Sequence, residues 1–587
     1  MQKIILQRLL PPLNVAASSH FCFDPLQELR MPSRRDHDYL PILKNDFSDG
    51  KISRRSFLRT ATLLGMSATS AYVFAGGSAT PLRAEEAKPK GGTLRISTTV
   101  YDVKSPATAA TLAHPVVYSQ VVEYLAKIGA DNVTRPHLLS SWEPSADLKT
   151  WTLHIRSGVK WHSGRDFVAA DVVWNLTRLL SDEAGSSMVG LMEGYMLNSV
   201  DTGKKDEKGK AIIRHELWDP KAIEKVDDMT VRLNLKRPQL AVPEHLAHYP
   251  AVMLYPEEKG IFGVGSIGTG AFTLKEINVS RNAVLEAVEG YWGEGPYLGK
   301  VEFIDLGGSE QAIVNALMSG QVDGAFQVLP EFFPVLSKQE NLQYYEVTTA
   351  DTSVCRMNLK HKPFDDVRVR QAFRLAVDVP QAKEVTLGQF GVPAEHHHVS
   401  PIHPEYAKLP ALGRDLDKAR ALLAEAGYPD GVDVELVIAQ NPPHHMRNAT
   451  ALTEMWKEAG IRATIKVVPN AQYWDIWTSA PLGITVWAHR PLGVMNLSLA
   501  YRSNVPWNET AFASEQFDKL LDEAEAIPDP KARSLKMAEI EEFMQREGPI
   551  VQTYWRNLIT FYDKRVMGVA MHPTYMVSAN ELAIKPA

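Results

Sequence analysis

Residues 150–156 read Thr150-Trp151-Thr152-Leu153-His154-Ile155-Arg156, and residues 171–180 read Asp171-Val172-Val173-Trp174-Asn175-Leu176-Thr177-Arg178-Leu179-Leu180. The first run sets Trp151, Leu153 and Ile155 on one face and Thr152, His154 and Arg156 on the other, the period of two that a half-buried strand shows. In the second, apolar residues return at Val172, Leu176, Leu179 and Leu180, the spacing of an amphipathic helix, with Asp171 placed to cap it. Strand then helix is the local unit, and it recurs outward along the chain. Val231, Leu233 and Leu235 alternate again, as do Ile461, Ala463, Ile465 and Val467. Helical stripes run through Val369, Ala372, Phe373, Ala376 and Val377, after the capping candidates Asp365 and Asp366. Two more contain Ile313 with Leu317, and Leu416 with Ala419, Leu423 and Ala426. Gly320 and Gly427 follow these last two and suit the left-handed position past a helix end. Strands alternating with helices predict a mixed α/β fold. The run from Asp201 to Lys210 is charged and without apolar residues, and reads as a solvated loop.

The chain has 587 residues, 45% of them apolar, enough for a large core in two or three domains. Ser53-Arg54-Arg55-Ser56-Phe57-Leu58-Arg59, followed by an uncharged stretch to Leu82, resembles a twin-arginine export signal. That stretch is rich in Ser, Thr and Gly rather than Leu and Val, so it reads as a removable signal and not as an anchor. Cleavage near Ala84 is expected, which makes residues 1–84 an N-terminal extension and signal peptide, outside the fold. The polar residues ahead of the arginine pair leave Met1 or Met31 as the initiator. The first 84 residues hold 11 Lys or Arg against 6 Asp or Glu, so their removal takes the formal charge from −6 to −11. Such an acidic chain offers nucleic acid no electrostatic footprint. Of Cys22 and Cys355 only the second lies in the expected mature chain, so no internal disulfide is available.

A series of motifs then runs in order along most of the chain. Ser141-Trp142-Glu143 precedes Leu153-His154-Ile155-Arg156, Val159-Lys160-Trp161-His162 and Ala170-Asp171-Val172-Val173. Val226-Asp227-Asp228, Gly268-Thr269-Gly270, Tyr291-Trp292-Gly293 and Ser319-Gly320-Gln321-Val322-Asp323 follow. Pro363-Phe364-Asp365-Asp366-Val367-Arg368-Val369-Arg370-Gln371-Ala372 and Lys418-Ala419-Arg420 complete it. The series resembles that of family 5 extracytoplasmic solute-binding proteins, the dipeptide-, oligopeptide- and nickel-binding components of ABC importers. The resemblance implies a two-lobed periplasmic-binding-protein fold, type II, cluster C, with an extra subdomain in the first lobe. The first lobe is expected over 85–350, its subdomain over about 125–262, the second lobe over 351–545, and a return to the first over 546–587. It also implies a periplasmic monomer that delivers its solute to a membrane permease, takes no cofactor and, if exported as its leader suggests, meets the twin-arginine (Tat) machinery.

Ligand-binding expectations centre on Trp487-Ala488-His489-Arg490-Pro491-Leu492-Gly493. Peptide-binding relatives carry Trp-x-x-Asp there, the Asp holding a peptide's amino terminus, whereas here Arg490 stands in its place. A guanidinium facing an ammonium in a desolvated cleft is repelled. It suits a carboxylate or phosphate, which Arg grips through two parallel hydrogen bonds. The expected solute is therefore small, polar and anion-bearing. His489 is expected to share the site only if Arg490 does not, since neighbours in extended chain point opposite ways. Trp487 is a wall of the cleft or part of the core, and Arg447 a weaker match to an Arg that relatives use for a peptide carboxylate. His396, His397, His398 and His403, with His444 and His445, lack metal-ligand spacing and read as surface loop. Gly268-Thr269-Gly270 has no Walker lysine, and no nucleophile or metalloprotease motif occurs, so no catalytic constellation is present. The alternatives are a peptide binder in another register and a periplasmic hydrolase or metalloenzyme on the same scaffold.

Overall fold

The computed structural model describes residues 39–52, 54–66, 70–71, 74–75, 87–205 and 211–586. The strand Leu342–Met357, 16 residues long, organises it. Its first part pairs antiparallel with Tyr554–Asp563, from Leu342 opposite Asp563 to Thr348 opposite Asn557. Its last part, from Thr352 to Met357, pairs antiparallel with Leu482–Trp487. One strand thus joins two α/β halves within a single 12-stranded sheet of the described residues. In the first lobe Thr93–Ser97 runs parallel to Lys300–Ile304 and Gly324–Ala325, and the hairpin Phe272–Asn278 with Asn282–Ala287 extends the edge. In the second, Val432–Ala439 lies parallel to both Ile461–Val468 and Leu482–Trp487. The fold is the mixed α/β, two-lobed one expected from the sequence.

The period-two run forms the strand Thr150–Ile155, central in a four-stranded sheet with Leu139–Pro144, Thr230–Asn234 and Ile223–Asp227. Trp151, Leu153 and Ile155 are buried, as alternation requires. The helix Ala169–Leu179 packs Val172, Leu176 and Leu179 inward. Asp171 is its third residue rather than its cap. The backbone enters extended at Val168, and the Asp171 carboxylate reaches back to accept from the Val168 N–H at 3.0 Å. Asp366 does cap Val367–Leu375, accepting from the Arg368 N–H at 2.8 Å. Gly320 and Gly427 adopt φ of 71° and 93° just past their helices.

Two expectations change. Asp201 to Lys205 is not loop: it belongs to Leu197–Lys205, which forms an exposed hairpin with Ala211–Leu217. Backbone ladder bonds do not depend on side-chain polarity, and a hairpin facing water tolerates the charge; the rest of the charged run lies outside the described residues. Nor does the N-terminal segment stand apart from the fold. The helices Leu40–Ser48 and Arg54–Leu63 bury Leu40, Leu43, Phe57, Ala61 and Leu63 in the body. Phe57, Ala61 and Leu64 lie three and four residues apart, so the run offers a helix one apolar face to bury. The Leu63 carbonyl accepts from Trp142 Nε1 at 3.0 Å. Arg54 and Arg55 open the second of these helices; the expected cleavage point near Ala84 lies outside the described residues. No helix among the described residues is long and apolar enough to cross a membrane.

Candidate functional site

Where Leu342–Met357 passes from one lobe to the other its register shifts, between Thr348 and Asp351. Several polar groups at the shift find partners within the fold. Thr349 Oγ1 donates to the Arg556 carbonyl at 2.6 Å and accepts from the Asp351 N–H at 2.9 Å. The Ala350 N–H donates to His489 Nδ1 at 3.0 Å. That bond fixes the tautomer, so Nε2 carries the proton and donates to Asn132 Oδ1 at 2.9 Å. Burial, with the nearby charges of Arg59 and Arg490 adding to it, holds the His489 imidazole neutral, well below its ordinary pKa. His489 thereby ties the junction strand to the first lobe. Asp351 itself pairs with Arg556, Nε to Oδ1 at 3.0 Å, both buried.

Beside this junction the lobes enclose a cavity of about 30 Å³, with Glu244, His248 and Tyr249 on the first lobe facing His489, Arg490 and Met495 on the second. A space of that size holds water but no organic solute. Arg490 is buried, its guanidinium 5.9 Å from the Tyr249 ring and bonded through Nη1 to its own Ala488 and His489 carbonyls at 3.2 and 3.1 Å. Its Nε has no hydrogen-bond partner among the described residues. Burial lowers its pKa, against the favourable charges of Tyr249 and Asp351. Both His489 and Arg490 line the cavity, contrary to the expectation that only one faces it. The strand ends at Trp487, and without ladder pairing beyond it the alternation of a strand is no longer imposed.

Trp487 sits in the core rather than on the cavity, donating Nε1 to Glu509 Oε1 at 2.8 Å. Arg447 is elsewhere: Nε donates to the Thr386 carbonyl at 2.9 Å, and Nη1 meets Glu331 at 3.4 Å. The histidines read as surface loop are all buried: His396, His397, His398 and His403, and also His444 and His445. Three of them bond groups distant in sequence. His396 Nδ1 accepts from the Gln552 N–H at 2.9 Å, His398 Nδ1 bonds the Tyr501 hydroxyl at 2.7 Å, and His403 Nε2 donates to the Arg490 carbonyl at 3.0 Å. Among the described residues no group of three or more His, Cys, Asp or Glu is arranged to hold a metal.

Two buried acids escaped the sequence reading, Glu244 on the cavity and Glu405 behind the turn that follows Arg490. Glu244 Oε1 accepts from Thr134 Oγ1 at 2.9 Å, and burial pushes its carboxyl up to about 7. Glu405 Oε1 accepts from the Gly493 and Val494 N–H groups at 2.8 and 3.3 Å. A lone Glu in a short helix or loop carries no sequence signal; only the closed fold brings these two within electrostatic reach of each other.

The profile of bacterial extracellular solute-binding proteins, family 5 Middle, matches residues 133–505, and the chain belongs to that family. The dipeptide-binding protein DppE of Bacillus subtilis (strain 168) is 25% identical over 485 residues, covering 78% of this chain and 85% of the relative. The glutathione-binding protein GsiB of Salmonella paratyphi A is 26% identical over 473 residues, covering 76% and 86%. The structure of AgaA from A. tumefaciens R10 with agropinic acid superposes with a TM-score of 0.71 at 22% identity, covering 84% of this chain and 99% of that one.

The buried histidines predict a pH dependence of stability. Burial holds His398 and His403 at about 3 against an ordinary 6.5. A depressed histidine favours the unfolded chain once protons are available, so its contribution is complete above pH 6.5 and is lost as pH falls toward 3. Urea unfolding from pH 7 to 5 should show His398→Gln losing less stability than wild type, by up to about 1.4 kcal/mol per pH unit. Parallel pH profiles for the two proteins would contradict a buried neutral His398.

Proposed function

We propose that this family 5 protein captures a small polar, anion-bearing organic solute between its lobes, outside the inner membrane, and delivers it to an ABC permease. The observation that carries the reading is Arg490. A buried guanidinium whose Nε lacks an acceptor costs about 1–3 kcal/mol, and the group lines the interlobe cavity. A solute carboxylate or phosphate would supply the acceptor and offset the burial of charge. The first lobe is taken as 85–350 with 546–587 and the second as 351–545, hinged where Leu342–Met357 shifts register. A ligand touching both walls then favours the closed state by its differential affinity.

Calorimetry against short peptides, sugar phosphates and polycarboxylates tests the ligand class. Arg490→Ala should weaken the anionic ligand by about 1.5–3 kcal/mol, one charge-assisted hydrogen bond, with folding checked by circular dichroism. Equal affinity in the variant, or a ligand bearing no anionic group, would overturn the reading.

Export is proposed to use the twin-arginine route, with Arg54 and Arg55 as the pair recognised. Replacing both by Lys keeps the charge and should leave precursor in the cytoplasm; normal periplasmic yield would point to the general secretory route.

A further inference from the structure

The leader grips both lobes at the place where they meet. Its helices Leu40–Ser48 and Arg54–Leu63 hold together as one unit, Phe47 stacking on Phe57 with ring centroids 4.7 Å apart and Phe57 meeting Phe74 at 5.3 Å. On the first lobe, Trp142 Nε1 donates to the Leu63 carbonyl at 3.0 Å, and the buried Arg59 donates from Nε to the Asn132 carbonyl at 2.7 Å. On the second, Arg59 Nη1 donates to the Ile402 carbonyl at 3.1 Å. The Tyr39 hydroxyl donates to Asp529, the cap of the helix Pro530–Glu547. We propose that the attached leader is an interlobe clamp, with Arg59 as its bridge, which holds the lobes of the precursor shut until the leader is released. The proposal rests on the hinged, two-lobed reading above.

Three features separate a clamp from a helix that merely lies on a surface. The first is where Arg59 reaches. Asn132 is the residue whose Oδ1 accepts from His489 across the cleft at 2.9 Å, and Ile402 precedes His403, whose Nε2 donates to the Arg490 carbonyl at 3.0 Å. Arg59 thus ties together the two walls that His489 already joins. The second is that one guanidinium serves both lobes, so parting them breaks one of its bonds and leaves a buried N–H without an acceptor, an unfavourable outcome. The third is close approach. A Cβ at Gly65, just past the second helix, would lie 2.5 Å from the Trp142 carbonyl oxygen, so glycine is what lets the leader seat this tightly. Contacts made with both lobes only in the shut state shift the equilibrium toward that state. Where solute enters the open form, apparent affinity falls with the fraction open, which makes the precursor a poorer binder than the processed chain.

Double electron–electron resonance on the full-length chain tests the clamp. Spin labels go on Glu183→Cys and Lys519→Cys, exposed positions next to Asp182 and Asp518 on opposite rims of the cavities between the lobes. Cys22→Ser removes the leader thiol, and the buried Cys355 stays unlabelled. Wild type should give a single short distance. Arg59→Ala should raise the ratio of long to short distances by about tenfold or more, the effect of one lost hydrogen bond. Tyr39→Phe, which keeps the ring and removes only the hydroxyl, should shift it in the same direction. A wild-type precursor already spread over open distances, or folded variants with unchanged distances, would overturn the clamp. If the processed protein still compacts on solute in that case, the hinge and the solute-binding reading stand; if it does not, the hinge itself has failed.

Discussion

The ion pair of Asp351 and Arg556 sits where the strand Leu342–Met357 leaves one lobe for the other, and the rest of the molecule is arranged around keeping that junction in register. Two charges taken out of water are tolerable only with close geometry and satisfied remaining bonds. Here Arg556 meets Asp351 at 3.0 and 3.2 Å and the Tyr575 hydroxyl at 2.6 Å. Burial alone would favour the neutral forms, yet the proximity of Asp351 keeps Arg556 charged. A slip by one residue would point every following side chain to the wrong face, and would unpair both charges. The second lobe adds its own hold, because Gly391–Pro393 pairs with Tyr554–Arg556 on the other side of the same crossing.

His489 carries this junction to the cleft. One ring nitrogen accepts from Ala350 at the register shift, and the other donates to Asn132 across the cleft. Arg490 follows it directly in sequence and presents its guanidinium to the space between lobes. Glu244 lines the same cavity from the other side.

The regular elements were legible because their periodicity reports burial on one face: Trp151, Leu153 and Ile155 on a strand, Val172, Leu176 and Leu179 on a helix. The family was legible from motifs whose order follows the chain. The histidine loop was misread because its burial depends on Gln552 and Tyr501, which lie more than a hundred residues away and leave no local trace. His489 and Arg490 were set apart by a strand rule that stops applying at Trp487. The docking of Arg54–Leu63 in the body was also invisible, since an apolar helical face reads the same whether it meets a membrane, an export receptor or its own chain.

The central claim is that the lobes are hinged at the Asp351–Arg556 junction and shut on a solute. Small-angle X-ray scattering of the processed protein tests it most directly, after bound molecules are stripped by denaturation and refolding. Adding back the small-molecule fraction of a periplasmic extract should lower the radius of gyration at the concentrations where calorimetry gives a saturable heat. A saturable heat with an unchanged scattering curve would contradict the hinge, and would mean that the solute enters a rigid pocket.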